Sequence, residues 1–299
     1  NDRGAFPEGA DAVAPIEWVE EEAEGVVTFN KAPAKLQHVR PAGQDVALHE
    51  KVFEAGEVIT PPVVGMLATL GYHRVKVSRP PVVAVIATGD ELVAVHEALT
   101  PGKIRNSSGS ALSAQVVSAG GSVLGPLLAR DNKQSIEEVL ARALEADVLV
   151  FAGGVSVGDY DLVKQVLDDF GMELYFWKVK QRPGKPLAFG TLQGKQVFGL
   201  PGNPVSSAIC FEQYVRPAFA KMLGRKQVMR PLHPGYLSHE TKKVEGLHFF
   251  ARGVAAYDEE GKLYVADTGP QASNLYSSMV KANCIFHMPA ALKSAPAGT

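Results

Sequence analysis

From Pro80 to about Arg225, short apolar runs alternate with segments whose apolar residues recur at helical spacing. That alternation predicts a parallel sheet joined by crossover helices. The run Val82-Val83-Ala84-Val85-Ile86 has no polar position, as a buried strand requires, and Ser122 to Leu128, Asp147 to Phe151, Glu173 to Lys180 and Gln196 to Leu200 read as further strands. Helices are expected over Ser110 to Ala119 (stopped by Gly120-Gly121), Ser135 to Leu144, Tyr160 to Phe170 and Asn203 to Leu223. The start at Ser135-Ile136-Glu137-Glu138 resembles a capping box.

Outside this block the periodicity changes. Residues 1 to about 60 hold short β-rich pieces, Ala12 to Pro15 and Val26 to Phe29, between Gly, Pro and acidic clusters. Thr60-Pro61-Pro62 opens one helix that Gly71 closes. After Pro231, strand-like pieces (Phe249 to Val254, Leu263 to Asp267, Cys284 to Met288) lie between Gly-rich turns, which predicts an all-β tail. The fold class is therefore α/β, with a β-rich region plus linker helix over 1–79, an α/β domain over 80–228 and a C-terminal β domain over 229–299.

Composition removes several function classes. With 30 basic and 32 acidic residues, the net charge of −2 gives no sequence-blind hold on nucleic acid or an anionic membrane. No apolar stretch approaches the roughly 20 residues of a membrane-spanning helix. Cys210 and Cys284 are too few and too far apart for a disulfide framework or a thiolate metal site, which fits a reducing, cytoplasmic location. Cys210 reads as a core residue. The N-terminus carries no signal-peptide pattern and no initiator Met, which suggests a fragment or processed chain. Asn106-Ser107-Ser108 matches a glycosylation sequon by chance. His233, His239, His248 and His287 lack metal-ligand spacing and are expected to be surface or structural.

Candidate chemistry gathers in three loops that each follow an apolar strand: Thr88-Gly89-Asp90-Glu91, the stretch from Gly153-Gly154 to Asp161, and Pro201-Gly202-Asn203-Pro204. In a parallel sheet such loops meet at the carboxyl edge. In the second loop, glycines and a helix start near Asp159 would suit an oxyanion. The spacing from Gly153 to Gly158 fits the opening of a P-loop, but Asp159 stands where Lys is required, and an acid there suits a divalent cation between carboxylate and phosphate. Read singly, Asp159 is equally a helix cap and Asp131 a turn residue. Asp90 and Glu91 could hold Mg²⁺ or act as a base. Lys178, Lys180, Arg182 and Lys185, around a Pro-Gly turn, supply the opposing charge. Together these residues suit a cation and a metal sharing one polyphosphate-like ligand. Pro201 and Pro204 fix the third loop, with Asn203 as cap and Pro204 as first helical residue. Gly154-Val155-Ser156-Val157-Gly158 satisfies the nucleophile-elbow pattern literally, but the loop acids and cations have no place in a triad enzyme.

Four ordered motifs carry a family resemblance: Thr88-Gly89-Asp90-Glu91-Leu92, the stretch Gly153 to Asp161, Pro183-Gly184-Lys185-Pro186, and Gly199-Leu200-Pro201-Gly202-Asn203-Pro204-Val205-Ser206. They resemble the molybdopterin molybdenumtransferase (MoeA) family, related to the gephyrin E domain. Weaker similarity extends through residues 7–13 and 40–46 to Ala272-Ser273-Asn274 and Lys281-Ala282-Asn283 in the tail.

The resemblance implies a three-layer α/β/α molybdopterin-binding core, a β-rich N-terminal region and a C-terminal β domain. It implies Mg²⁺-dependent insertion of molybdate into adenylylated molybdopterin, with release of AMP. It also implies a homodimer, and it admits molybdopterin adenylyltransferase and molybdoenzyme maturation factors as partners. Carried over by position, Glu91, Asp131, Asp161, Lys178 and Arg182 are catalytic. Glu91, Asp159 and Asp161 hold the metal. Thr88, Gly89, Gly153, Gly154, Ser156, Gly158, Lys185, Pro201, Gly202, Asn203 and Pro204 hold the pterin nucleotide.

The chain departs from the family pattern at Arg182, where members commonly carry Lys, and at Arg3 and Arg105-Asn106-Ser107-Ser108. It is expected to begin downstream of the family's Asp-Gly-Tyr-Ala motif and to stop before a last β-strand. The alternatives are a molybdopterin adenylyltransferase, which shares the core fold, a gephyrin-like scaffold without catalysis, and a competence protein of the nicotinamide-amide-hydrolase type.

Overall fold

The computed structural model describes residues 6–154 and 162–299. The chain divides into two compact units, residues 1–55 and residues 56–299. In the first unit, β1 (Val19–Ala23) and β2 (Val26–Phe29) form an antiparallel hairpin around Gly25, whose φ of 78° suits a residue without Cβ. Ala12 to Pro15, expected as a strand, is not one. Pro15 has no N–H to give a ladder, and the chain passes from it into a 3₁₀ turn over Ile16–Trp18.

The second unit opens with α1 (Pro61–Thr69), two prolines in its first turn, and Gly71 beyond its end at φ 82°. Then follow β3 (Val82–Thr88), β4 (Leu92–Val93), β5 (Ile104–Arg105), α2 (Ser107–Ala119), β6 (Ser122–Ala129), α3 (Lys133–Ala143), β7 (Val148–Ala152) and α4 (Leu162–Asp169). Next come β8 (Glu173–Trp177), β9 (Gln181–Arg182), β10 (Ala188–Leu192), β11 (Lys195–Leu200), α5 (Pro204–Cys210) and α6 (Arg216–Met222). The tail adds β12 (Tyr236–Leu237), β13 (Thr241–Lys242), β14 (His248–Tyr257), β15 (Leu263–Asp267), α7 (Ser277–Lys281), β16 (Cys284–Met288) and β17 (Ser294–Ala295).

Six strands form the central sheet in the order β6-β3-β7-β11-β10-β8. Side chains alternate across it. Val83, Val85, Val148 and Val150 face α2 and the α5–α6 layer, packing with Leu112, Val116, Phe211 and Phe219. Ala84, Ile86, Leu149 and Phe151 face α3 and α4, packing with Ile136, Leu140, Val163 and Val166. Helices thus cover both faces, which makes three layers and explains why β3 and β7 carry no polar side chain before Thr88. Each fully buried Val, Ile, Leu or Phe contributes about 1.5–3 kcal/mol. The Arg79 guanidinium holds both Asp147 oxygens at 2.8 Å, and Asp147 also accepts the Val82 N–H at 2.7 Å, so the starts of β3 and β7 are tied.

Three expectations need correction. The sheet is mixed, because β10, absent from the predicted strands, runs antiparallel to both β11 and β8. It returns through the tight turn Gln193-Gly194, so no crossover helix is needed there. The cap of α3 is Asn132 and not Ser135: Asn132 Oδ1 accepts the Ser135 N–H at 2.9 Å, while Ser135 Oγ accepts the Arg130 N–H. The long helix after Asn203 is interrupted by a π turn over Phe211–Val215. Asn106, the sequon residue, is buried and caps α2 through the Gly109 N–H.

Candidate active site at the carboxyl rim of the sheet

Strands β3, β6, β7 and β11 are parallel, so Thr88, Ala129, Ala152 and Leu200 end at one rim. β8 ends there too, since Trp177 and Gly199 both pair with Ala188 at the start of β10. The three loops touch at this rim. Gly153 and Gly202 pass so closely that a Cβ on Gly202 would lie 3.5 Å from the Gly153 Cα. The Gly153 N–H reaches the Leu200 carbonyl at 3.1 Å, and Ser108 Oγ donates to the Gly202 carbonyl at 3.3 Å.

Thr88 closes this contact from the first loop. Its side chain is buried, and Oγ1 has no hydrogen-bond partner among the described residues. A Cβ on Gly154 (φ 67°) would lie 2.7 Å from that oxygen, and one on Gly153 (φ 96°) 3.2 Å from it. A side chain at 153 or 154 would crowd the Thr88 hydroxyl, so glycine at both keeps this buried, unpartnered group free of a clash.

The acidic end follows directly. Asp90 Oδ1 accepts the Asp131 N–H at 3.1 Å, and Asp131 Oδ2 accepts the Asp90 N–H at 3.2 Å, a reciprocal clasp between loops 41 residues apart. The Glu91 carboxylate folds back over Gly89, whose φ of 151° and missing Cβ make room for it. Arg130 donates to the carbonyls of Asp90 (3.1 Å) and Leu92 (3.2 Å), and Lys103 donates to that of Asp90. Sequence reasoning missed both cations; the one pointer to Arg130 was its position beside Asp131. Ser156, Gly158, Asp159 and Asp161 lie outside the described residues. Among the described residues, no group of three His, Cys, Asp or Glu side chains stands close enough to hold a metal.

The basic end is a cleft of about 310 Å³. The turn from Arg182 through Pro186 forms one wall, and Pro201, Asn203 and Ser206 form a second. Leu247, Gln271 and Ser273 from the tail form the third. Arg182 and Lys185 are exposed, so their charges point to solvent at the cleft. Pro204 opens α5 as expected, but the Asn203 side chain makes no capping bond. Lys178 stands apart from the cleft: at φ 74° it turns its ammonium onto the Trp177 ring, 4.6 Å from the centroid, with Lys164 at 4.9 Å from the same centroid.

The tail wall was legible only as the short match at Ala272-Ser273-Asn274. β14 pairs with β9, opposing His248 to Gln181, and the Val205 N–H reaches the Ser273 carbonyl at 3.3 Å. Arg252 on β14 is fully buried, and burial pushes its pKa down. It donates through Nε to Ser278 Oγ (3.0 Å) and through Nη2 to the Ala272 carbonyl (3.1 Å), while Nη1 has no partner among the described residues. Gln271 brackets the same residue, accepting its N–H at 2.9 Å and donating to its carbonyl at 3.1 Å. His248 on β14 and His287 on β16 have ring centroids 5.4 Å apart, and burial lowers the pKa of both.

Comparison with known proteins agrees along the whole chain. Residues 4–71 match the family described as MoeA N-terminal region (domain I and II), residues 84–221 match "Probable molybdopterin binding domain", and residues 234–299 match MoeA C-terminal region (domain IV). A molybdopterin molybdenumtransferase of Haemophilus influenzae is 38% identical over 283 residues, covering 94% of this chain and 70% of that protein. One from Staphylococcus epidermidis is 34% identical over 294 residues, covering 98% and 70%. The crystal structure of a molybdopterin biosynthesis MoeA protein from Pyrococcus horikoshii superposes with a TM-score of 0.80 at 29% identity, covering 98% of this chain and 71% of that one. Over this extent of sequence and fold, the chain belongs to the MoeA family of molybdopterin molybdenumtransferases, transferases of molybdenum cofactor biosynthesis.

Proposed function

We propose that this rim inserts molybdate into adenylylated molybdopterin and releases AMP, with Mg²⁺ as cofactor. The observation that carries the reading is the meeting of Thr88, Gly153, Gly154 and Gly202 between an acidic end at Glu91 and a basic cleft at Arg182 and Lys185. A pterin diphosphate needs both ends. Arg182 and Lys185 would neutralise phosphate oxygens of the bound diphosphate and keep doing so as the anhydride breaks. The bare backbone at the three glycines would let the diphosphate approach, and the Thr88 hydroxyl would donate to it. Molybdate is itself an oxyanion, so the same cations favour its approach to the dithiolene.

An all-carboxylate donor set suits Mg²⁺, which takes one or two carboxylates together with substrate phosphates. Glu91 would hold it with Asp159 and Asp161. When bound, Mg²⁺ would polarise the scissile phosphoryl group. Asp131, clasped with Asp90, would set the loop that presents Glu91. Lys178, placed against Trp177, would act from the margin of the rim. On this reading, 80–228 carries the pterin nucleotide, 1–79 is the β-rich N-terminal region and 229–299 the C-terminal β domain, in a cytoplasmic homodimer supplied by a molybdopterin adenylyltransferase.

The test is AMP release from adenylylated molybdopterin with molybdate and Mg²⁺. Glu91→Ala should abolish release and leave the thermal unfolding unchanged. Full turnover by that variant refutes the metal assignment.

A further inference from the structure

Beneath the basic turn lies a buried polar cluster that the proposed chemistry does not use. Gln181 is 2% exposed and Cys210 is fully buried. The atoms fix their own roles. The Pro183 carbonyl can only accept, so the Gln181 atom 3.0 Å from it is Nε2. Oε1 then faces the Tyr214 hydroxyl and accepts from it. Burial raises the Tyr214 pKa and pushes that of Cys210 up to about 12, so both stay protonated and Tyr214 remains a donor. The Cys210 thiol contacts Gln181 Nε2 and the Gly184 carbonyl, each at 3.6 Å.

The turn is pressed onto this cluster. Gly184 has φ 91°, and a Cβ there would lie 2.3 Å from Cys210 Sγ and 2.8 Å from Gln181 Nε2. Cys210 and Tyr214 are four residues apart across the π turn that interrupts the helix, which turns both toward Gln181. Pro183 and Gly184, the residues the cluster holds, are those between Arg182 and Lys185.

We propose that Gln181 and Tyr214 are positioning residues, which hold the Pro183-Gly184 backbone so that Arg182 and Lys185 both face the cleft. This deepens the proposed function and rests on its assignment of the cleft to a diphosphate. Tyr214 does not line the cleft, and Gln181, only 2% exposed at its border, grips the turn from beneath, so both act through the turn.

The experiment compares Tyr214→Phe, Gln181→Met and Arg182→Ala with the unaltered protein in the AMP-release assay, with thermal unfolding alongside. Tyr214→Phe removes one donor and keeps the ring, and it should raise KM for adenylylated molybdopterin about fivefold, with kcat within about twofold and Tm lowered by only a few degrees for the unpaired Gln181 oxygen. Gln181→Met, which loses the contacts to Pro183, Cys210 and Tyr214, should raise KM further. Adding Tyr214→Phe to Arg182→Ala should cost little more than Arg182→Ala alone, because the hydroxyl acts through that cation. A Tyr214→Phe protein with lowered Tm and unchanged KM, beside an Arg182→Ala protein with raised KM, overturns the positioning role and leaves the cleft assignment standing. An Arg182→Ala protein with unchanged KM removes the cleft assignment and this inference with it.

Discussion

Gly154→Ala tests whether the three loops touch where the chemistry is proposed. The residue sits at φ 67°, a region that costs an L-residue about 1–2 kcal/mol. The new methyl would also lie 2.3 Å from Val163 Cγ2 and 2.7 Å from Thr88 Oγ1. Val163, on α4, is buried in the core and cannot swing away, so overpacking adds about 1–3 kcal/mol. The sum is about 2–5 kcal/mol. Gly171→Ala supplies the control: its φ of 84° carries the same backbone cost, but nothing lies within 4 Å of its Cβ position, so about 1–2 kcal/mol is expected. Urea unfolding of both variants gives the difference directly, provided the m-values match. A gap of about 2 kcal/mol supports the contact with Thr88 and Val163. Equal destabilisation of the two variants would sink it, and with it the picture of a buried Thr88 hydroxyl packed beneath a glycine pair.

Two more outcomes follow from the tail. Arg252→Met should be tolerated within about 1.5 kcal/mol, because it fills the space and removes an unpaired buried Nη1, whereas Arg252→Ala should cost about 3–5 kcal/mol through the cavity it leaves; equal losses in thermal unfolding would refute this. His248 has its pKa lowered first by burial and then by Lys243, with His287 also facing it, so the unfolded chain binds the proton more readily than the folded one. Stability should therefore be full above about pH 6.5 and fall as the pH drops below it, and His248→Phe should flatten that slope in a pH series of denaturant melts. An unchanged slope would contradict the assignment.

Much of the core was legible because its signals are local. Val82 to Ile86 and Val148 to Phe151 are apolar at every position, and a strand covered on both faces permits little else. Gly71 and Gly120 mark helix ends because the left-handed turn after a helix favours a residue without Cβ. β10 escaped notice. Its Gly190 interrupts the apolar pattern, and the reason for that glycine is the Glu173 carbonyl of β8, 2.3 Å from where a Cβ would sit. Asn132 and Ser135 are both good caps by type, and only the backbone between them decides which one accepts.

The sequence by itself determined the order of the core strands and helices apart from β10, the glycine and proline punctuation, and the acids and cations at the ends of strands. Only the tertiary structure decided which of these residues meet. It placed Arg182 and Lys185 on the cleft but laid Lys178 against Trp177, and it spent Asp131 on a clasp with Asp90. It also brought Leu247, Gln271 and Ser273 in from the tail and set Gln181, Cys210 and Tyr214 beneath the turn. Periodicity is written in neighbouring residues, whereas a site assembled from segments tens of residues apart is set by how the layers pack, and no short stretch of sequence contains that information.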